Sequence, residues 1–330
     1  MNVGLAFFLT LAAAILATRA VLGWLRHRQI LDHPNERSSH SRPTPRGGGL
    51  AVTPVALLAW ACLALTGTSQ PGVWPVLGGA AVLLALSWRD DRRSLPPHLR
   101  LAVHVAAAVA GIAGLPAEQA VFQGLLPFWL DRAAAVLAWV WFVNLYNFMD
   151  GIDGITGVET AAIGLGLMLV DLTAGQAAGA PAAAAIAAAG LGFLVWNWHP
   201  AKLFLGDSGS VPLGYLLGWL LLSAAAQGQW GAAMILPAYY LADATLTLGK
   251  RALKGEKVWQ AHRQHFYQRA LGGGASHADV VRLILATNIL LVLLTLWAGH
   301  HPWPAVILAA MVVAALLARF TRMGRRGNLR

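Results

Sequence analysis

Apolar stretches, each close to the length a helix needs to cross the hydrocarbon core of a bilayer, follow one another through almost the whole of this chain. Eleven can be drawn, near 3–23, 49–66, 73–88, 100–116, 132–148, 155–172, 181–197, 211–226, 231–249, 281–298 and 303–320. Only 12% of the residues are charged and 57% are hydrophobic, whereas a water-soluble domain carries about 25% charged residues. A chain in lipid must satisfy its backbone hydrogen bonds internally, so the expected fold is all-α: a polytopic membrane protein with about eleven transmembrane helices. The stretch 117–131 reads either as an interfacial segment, which Phe122, Phe128 and Trp129 would suit, or as part of an external loop.

The charges set the topology. Loops on one side, 24–48, 88–99, 149–154, 198–210 and 250–280, take up 22 of the 24 Lys and Arg together with flanking Arg100, Arg282 and Arg319 and the tail beyond 320; the exceptions are Arg19 and Arg132. This is the positive-inside pattern, which puts these loops in the cytoplasm, the N-terminus in the periplasm and the C-terminus in the cytoplasm. No basic residue precedes the first apolar run, so it reads as a retained helix and not a signal peptide. Despite the net charge of +10, nucleic acid is excluded as a partner, because a nucleic-acid surface would not sort its charge by loop parity. Cys62, the single cysteine, lies in an apolar run and permits neither a disulfide framework nor a cysteine metal site. Residues 1–320 are expected to form one domain, and the tail TRMGRRGNLR, 321–330, to be a disordered basic extension.

Acidic residues number only 14, and nine of them (Asp32, Glu36, Asp90, Asp91, Asp150, Asp153, Asp207, Glu256 and Asp279) sit in or at the mouth of these loops. Holding carboxylates beside a membrane is costly, so each calls for a reason. In SWRDDRRSLPPHLR, Asp90 and Asp91 are adjacent acids at a helix end, suited to a base or to a lipid-phosphate site. In NLYNFMDGIDGITG, Asn144, Asn147 and Asp150 recur at intervals of three and are expected to face one cleft, with Asp153 a further three residues on. So many oxygen donors beside an apolar span suit a hard cation or a nucleotide sugar. In NWHPAKLFLGDSGS, Asp207 stands between Gly206 and Gly209, where the backbone can approach a ligand and the carboxylate can hold a metal bridging phosphates; Lys202 can pair with phosphate.

Two more loops look built for anions. In KRALKGEKVWQAHRQHFYQR, His262 and His265 are spaced to share a helix face; no third His or Cys lies nearby to complete a zinc site, so recognition of phosphate with Arg263 and Arg269 is the better expectation. In DHPNERSSHSRPTPRGGGL, Arg37, His40, Arg42 and Arg46 precede three glycines whose amides are expected to bind anions, without the spacing of a P-loop. The opposite loops carry no comparable polar motif.

Taken together, DHPNERSSHSRPTPRGGG, the Asp90–Asp91 pair, NLYNFMDGIDG, FLGDSGS and HRQHFYQR, in that order from Asp32 to about Arg269, resemble the polyprenyl-phosphate N-acetylhexosamine-1-phosphate transferases. That family includes the phospho-N-acetylmuramoyl-pentapeptide transferase of peptidoglycan synthesis and the enzymes that start O-antigen and enterobacterial common antigen. The resemblance implies a bacterial inner-membrane enzyme that transfers sugar 1-phosphate from a UDP-N-acetylhexosamine to undecaprenyl phosphate and releases UMP. It implies a need for magnesium, with manganese as a substitute. By matching motif, Asp207, joined by Asp150, looks like the metal ligand; Asp90 or Asp91 looks like the group that positions or deprotonates the lipid phosphate. Asn147, Asp150 and Asp153 look like cleft residues, and His262 and His265 like diphosphate contacts, with Asn144, Lys202, Arg263, Arg46 and His40 completing the substrate-binding set. A homodimer is compatible with this picture. HRQH is sparser in histidine than the muramoyl-pentapeptide enzymes, which places the chain nearer the O-antigen-initiating branch. The rival reading is a secondary transporter of an anionic substrate, which would use ionisable residues within the spans: Asp171, His104 and Asp243.

Overall fold

The computed structural model describes residues 2–34, 42–68, 72–116, 118–176, 178–258, 260 and 262–327, without the side chains of 326 and 327. Thirteen helices follow one another among these residues: α1 Val3–His27, α2 Gly49–Leu65, α3 Val73–Arg92, α4 Pro97–Ile112, α5 Phe128–Met149, α6 Ile155–Thr173, α7 Ala180–Asn197, α8 Asp207–Ala226, α9 Trp230–Ile235, α10 Ala238–Leu253, α11 Phe266–Gly272, α12 His277–Ala298 and α13 Pro302–Gly327. Seven of them, α1, α5, α6, α7, α8, α12 and α13, are long and apolar enough to cross a membrane, and α2 and α4 are shorter apolar helices. The protein is an all-α, multi-pass membrane protein. Exposed Phe8, Leu16, Leu58, Leu137, Leu293 and Ile307 present an apolar exterior that water would not tolerate and acyl chains do.

Helices pack here without a hydrophobic drive between them, so small residues and buried hydrogen bonds do the joining. The alanine-rich α7 is almost entirely buried, and a side chain at Gly164 of α6 would collide with Ala187 of α7. α8 is the central post: residues Ser208 to Leu221 are all buried, Tyr215 stacks on Trp139 of α5 with ring centroids 4.5 Å apart, and Trp139 Nε1–H donates to the Tyr215 carbonyl at 2.9 Å.

The bundle has two polar ends. At one, the C-terminal ends of α3, α5 and α7 meet the N-terminal ends of α2, α8 and α12, as the contacts described below show. At the other, a side chain on Gly72 would strike Gly114, Gln123 Nε2–H donates to the Ala225 carbonyl at 2.6 Å, and Trp230 packs on Trp303.

Five expectations fail in instructive ways. The apolar run 231–249 is not one helix: it breaks between α9 and α10 at Leu236–Pro237, because Pro237 has no N–H to continue the ladder. Residues 321–327 are not a disordered tail but the last turns of α13, with Phe320 buried and Gly324 pressed against the Arg269 backbone of α11. The glycines 47–49 do not present their amides to anions: their N–H groups donate to the carbonyls of Phe204, Phe204 and Leu205 at 3.1, 2.9 and 2.9 Å. This zipper, with a two-residue antiparallel pair Leu31–Asp32 (β1) and Thr44–Pro45 (β2), is the small departure from all-helical structure among the described residues. The far end is not free of polar motifs, since buried Asp131 accepts from the N–H groups of Val121 and Phe122 at 3.0 and 2.8 Å and folds 118–127 into turns. Finally, His262 and His265 share no helix face, because both precede α11 and His265 is its N-cap.

Candidate active site

The centre of the polar end is built where α3 stops and α8 starts. Gly206 has φ +75°, a conformation that favours glycine, and turns the chain into α8 at Asp207. The first amides of a helix lack intrahelical partners. Here they find one on another helix: the Asp91 carboxylate accepts from the N–H of Asp207 at 3.0 Å and of Ser208 at 2.9 Å. Gly49 and Gly209 touch backbone to backbone across this junction, so a Cβ on Gly49 would collide with Gly209 and Ser208.

Arg46 spans the pair. Its guanidinium lies 3.0 Å from Asp91 Oδ1 and 2.9 Å from Asp207 Oδ1. Burial disfavours the Arg46 charge, and the carboxylates of Asp207 and Asp91 more than reverse that, with Asp32 and Asp150 adding to the field. Burial likewise pushes the Asp91 carboxyl up, reinforced by Asp207 and opposed by Arg46 and the two amides. Asp150, the C-cap of α5, is pushed up to about 6 by burial, with Asp207 and Asp91 adding to the shift and the Thr156 hydroxyl, 2.6 Å away, and Arg46 opposing it. Three carboxylates thus sense one another and one arginine. An oxygen-rich set with unspent negative charge, already gathering a cationic side chain, fits a hard divalent cation.

The adjacent aspartates divide their roles. Asp91 turns to α8, whereas Asp90 accepts from Arg100 at 3.0 Å and from the Leu95 N–H at 2.6 Å. Asp90, Asn144, Asn147 and Asp207 line one cavity of about 160 Å³ together with Arg100 and His104. The expected cleft face of α5 therefore exists for Asn144 and Asn147, the latter fixed by donating to Ser210 Oγ at 2.8 Å. Asn144 also edges an apolar groove between α4, α5 and α10, lined by Leu101, Leu137, Trp141, Phe148 and Leu248.

The remaining expected residues that the structure describes make other contacts. Asp153 turns away from Asp150 to His199 and His277, at 2.6 and 3.3 Å. Burial would raise its pKa, but the hydrogen bonds from His277 and His199 prevail and hold the carboxyl below its usual range. His265 is buried and pairs with buried Asp243 at 3.1 Å; Asp243 also accepts from the N–H groups of Phe266 and Tyr267 at 3.0 and 3.4 Å. This pins the α10–α11 loop, a role for Asp243 that its place within an apolar run hid. His262, rings 4.8 Å from His265, is lowered to about 4 by burial and by the neighbouring cationic groups, so it offers a neutral ring at pH 7. Arg263 is exposed, and exposed Lys202 lies over the Trp196 ring at 5.5 Å. His40 falls outside the described residues. His199 and His277 went unassigned in the sequence: they belong to segments 78 positions apart, and no spacing announces their meeting. His104, read there only as a residue of the rival transporter, lines the cavity instead.

The sequence profile of glycosyl transferase family 4 matches residues 73–225, which include Asp90, Asp91, Asn144, Asn147, Asp150, Asp153 and Asp207. The chain is 31% identical to the decaprenyl-phosphate N-acetylglucosaminephosphotransferase of Mycolicibacterium smegmatis, over 96% of this chain and 88% of that one. It is 26% identical to a probable undecaprenyl-phosphate N-acetylglucosaminyl 1-phosphate transferase of Bacillus subtilis, over 86% and 81%. A phospho-N-acetylmuramoyl-pentapeptide-transferase of Synechococcus elongatus is 33% identical over 52% of this chain and 51% of its own. A profile anchored on the helices that carry the carboxylates, with relatives aligned along nearly the full length, leaves one conclusion: the chain belongs to glycosyl transferase family 4, the family of polyprenyl-phosphate N-acetylhexosamine-1-phosphate transferases.

Proposed function

We propose that the protein transfers N-acetylhexosamine 1-phosphate from a UDP-sugar to undecaprenyl phosphate, releasing UMP and starting an O-antigen or another cell-envelope glycan. The observation that carries the reading is Arg46 joining Asp91 to Asp207 at the N-terminus of α8, beside a polar cavity and next to an apolar groove. A water-soluble nucleotide sugar and a lipid phosphate need such a meeting place at the rim of the bilayer. The relatives named for polyprenyl-phosphate sugar-phosphate transfer support the same reaction class.

In this reading the apolar groove takes the first isoprenes of the acceptor, and Asn144 and Asn147 orient groups entering the cavity. Asp90 and Asp91 are the candidates to deprotonate or position the lipid phosphate; Asp91 is the one whose charge is tied to α8, and Asp90 the one that lines the cavity. An oxygen of the lipid phosphate attacks the β-phosphorus of the donor and UMP leaves. Magnesium, held by Asp207 with Asp150, would offset the charge of the diphosphate; manganese would substitute. Arg46 provides a further cation, and His262, Arg263 and Lys202 are the candidates for outer contacts to the donor. We assign eleven crossings, counting α9 and α10 as one broken span, with the N-terminus periplasmic and this end of the bundle in the bacterial cytoplasm.

The transporter reading finds little to stand on. Asp243 is consumed by His265 and two backbone amides, and Asp171 lies in the last turn of α6 at the far end. The deciding experiment is UMP release by detergent-solubilised protein supplied with UDP-N-acetylhexosamines and undecaprenyl phosphate, with and without magnesium. Asp207→Asn is expected to lower turnover by roughly a hundredfold or more; turnover like that of the wild type would remove Asp207 from the metal site, and the absence of UMP release with every donor would remove the reaction.

A further inference from the structure

Asp153, His199 and His277 come from the α5–α6 loop, the α7–α8 loop and the first residue of α12. Each offers one ligand atom, and these atoms all lie within 4.8 Å of one another; among the described residues this is the one group of three His, Cys, Asp or Glu side chains so arranged. Oδ2 of Asp153 lies 2.6 Å from His199 Nδ1 and Oδ1 lies 3.3 Å from His277 Nδ1, while the ring centroids are 5.1 Å apart. The Ala201 N–H donates to Oδ2 at 3.1 Å and the Asp153 N–H meets His277 Nδ1 at 3.4 Å, so the carboxylate is held in place before any ligand arrives.

We propose that these three residues bind a divalent transition metal of the zinc class, at a site separate from the Asp91–Asp207 centre. Two imidazoles and one carboxylate are the donors that zinc, cobalt and nickel favour and that magnesium does not. The side chains of Asp153 and His277 are 7% and 11% exposed and that of His199 is 36% exposed, so two ligands are set in the interior and the third faces the entry path. With three protein ligands, a fourth position stays open to water. A metal takes the ring nitrogens as neutral acceptors, so a proton held between His199 and the carboxylate passes to solvent as the metal–nitrogen and metal–oxygen bonds form.

The consequence is mechanical. Asp153 follows Asp150 by three residues, and His199 precedes Asp207 by eight on the same connection into α8. A metal here clamps to α12 the loop that follows Asp150 and the connection that leads into Asp207.

The test uses the full-length protein without a histidine tag, stripped with chelator and kept in magnesium-containing buffer. Cobalt(II) is titrated in while its visible d–d absorption is followed, and zinc is then added in competition. One equivalent of cobalt with the intensified absorption of a low-coordinate site, displaced by zinc, is expected. His199→Ala and His277→Ala should each weaken binding by roughly a hundredfold or abolish it, whereas Asp207→Asn should bind as the wild type does. Zinc should raise the thermal unfolding midpoint of the wild type and not that of either histidine variant; His199→Gln and His277→Gln replace the alanine variants if those elute as aggregates. No saturable binding in the wild type, wild-type binding in the histidine variants, or loss of binding in Asp207→Asn overturns the assignment.

Discussion

The Asp91 carboxylate on α3 caps the N-terminus of α8 by accepting from the amides of Asp207 and Ser208, at 3.0 and 2.9 Å. One side chain therefore both closes a helix end and fixes the orientation of the neighbouring acid. Asp91→Asn keeps the shape and halves the acceptor capacity. It is expected to cost about 1 kcal/mol of stability, the usual worth of a cap, and to lower UMP release by roughly a hundredfold. Thermal unfolding and turnover measured on one preparation check both halves.

Arg46 joins the two carboxylates through one guanidinium, a bridge that lysine, a single point charge on a flexible stem, holds poorly. Arg46→Lys is expected to cost about 2 kcal/mol of transition-state stabilisation, a fall of roughly thirtyfold in kcat/KM. Equal turnover in the lysine variant would show that only the charge matters.

The Asp150 carboxyl is pushed up to about 6 in the fold, above the value of about 4 for an unfolded chain. Between these values the folded state holds more protons than the unfolded one, so stability is complete below about pH 4 and falls as pH rises through about 6. Asp91, raised in the same direction, adds to the slope. A divalent cation favours the charged forms and removes the penalty. In chelator the unfolding midpoint should drop between pH 5 and pH 7; magnesium, or Asp150→Asn, should flatten that drop.

Gly49 and Gly209 meet backbone to backbone, so Gly49→Ala forces α2 away from α8. A loss of about 1–3 kcal/mol in stability is expected from the overpacking. Turnover should fall as well, since Arg46 lies three residues upstream on the same segment. Alanine at Gly23, where no atom lies within 4 Å of the added carbon, is the control and should change neither.

Asp131, at the far end, accepts two backbone amides in a buried setting. Asp131→Ala leaves both donors unsatisfied and should cost about 2–3 kcal/mol in stability, with UMP release per folded molecule unchanged. A large loss of turnover would mean that the far end communicates with the centre.

Much of this was legible because lipid makes sequence patterns blunt. Apolar runs had to be helices, and the loops rich in carboxylate and arginine had to share a face; Asp90, Asp91, Asn144, Asn147, Asp150 and Asp207 do gather at one end. What stayed hidden depends on contacts between distant segments. The amides of Gly47–Gly49 looked available until the carbonyls of Phe204 and Leu205 took them. Asp153 read as a partner of Asp150 because three residues separate them, yet the end of α5 at Met149 turns the two apart. His265 read as a ligand contact because its pairing with Asp243 crosses 22 positions. The break at Pro237 was visible as a proline inside an apolar run and was the one signal there to be taken.

The crossing of Gly273 against Met323 and Gly324 ties the α11 segment to the final turns of α13. Residues that look like a dispensable basic appendage are thereby a buttress for the loop bearing His262 and His265. Shortening the chain at Phe320 would withdraw that buttress, and the harm would surface in the histidine loop, some sixty positions earlier in the sequence.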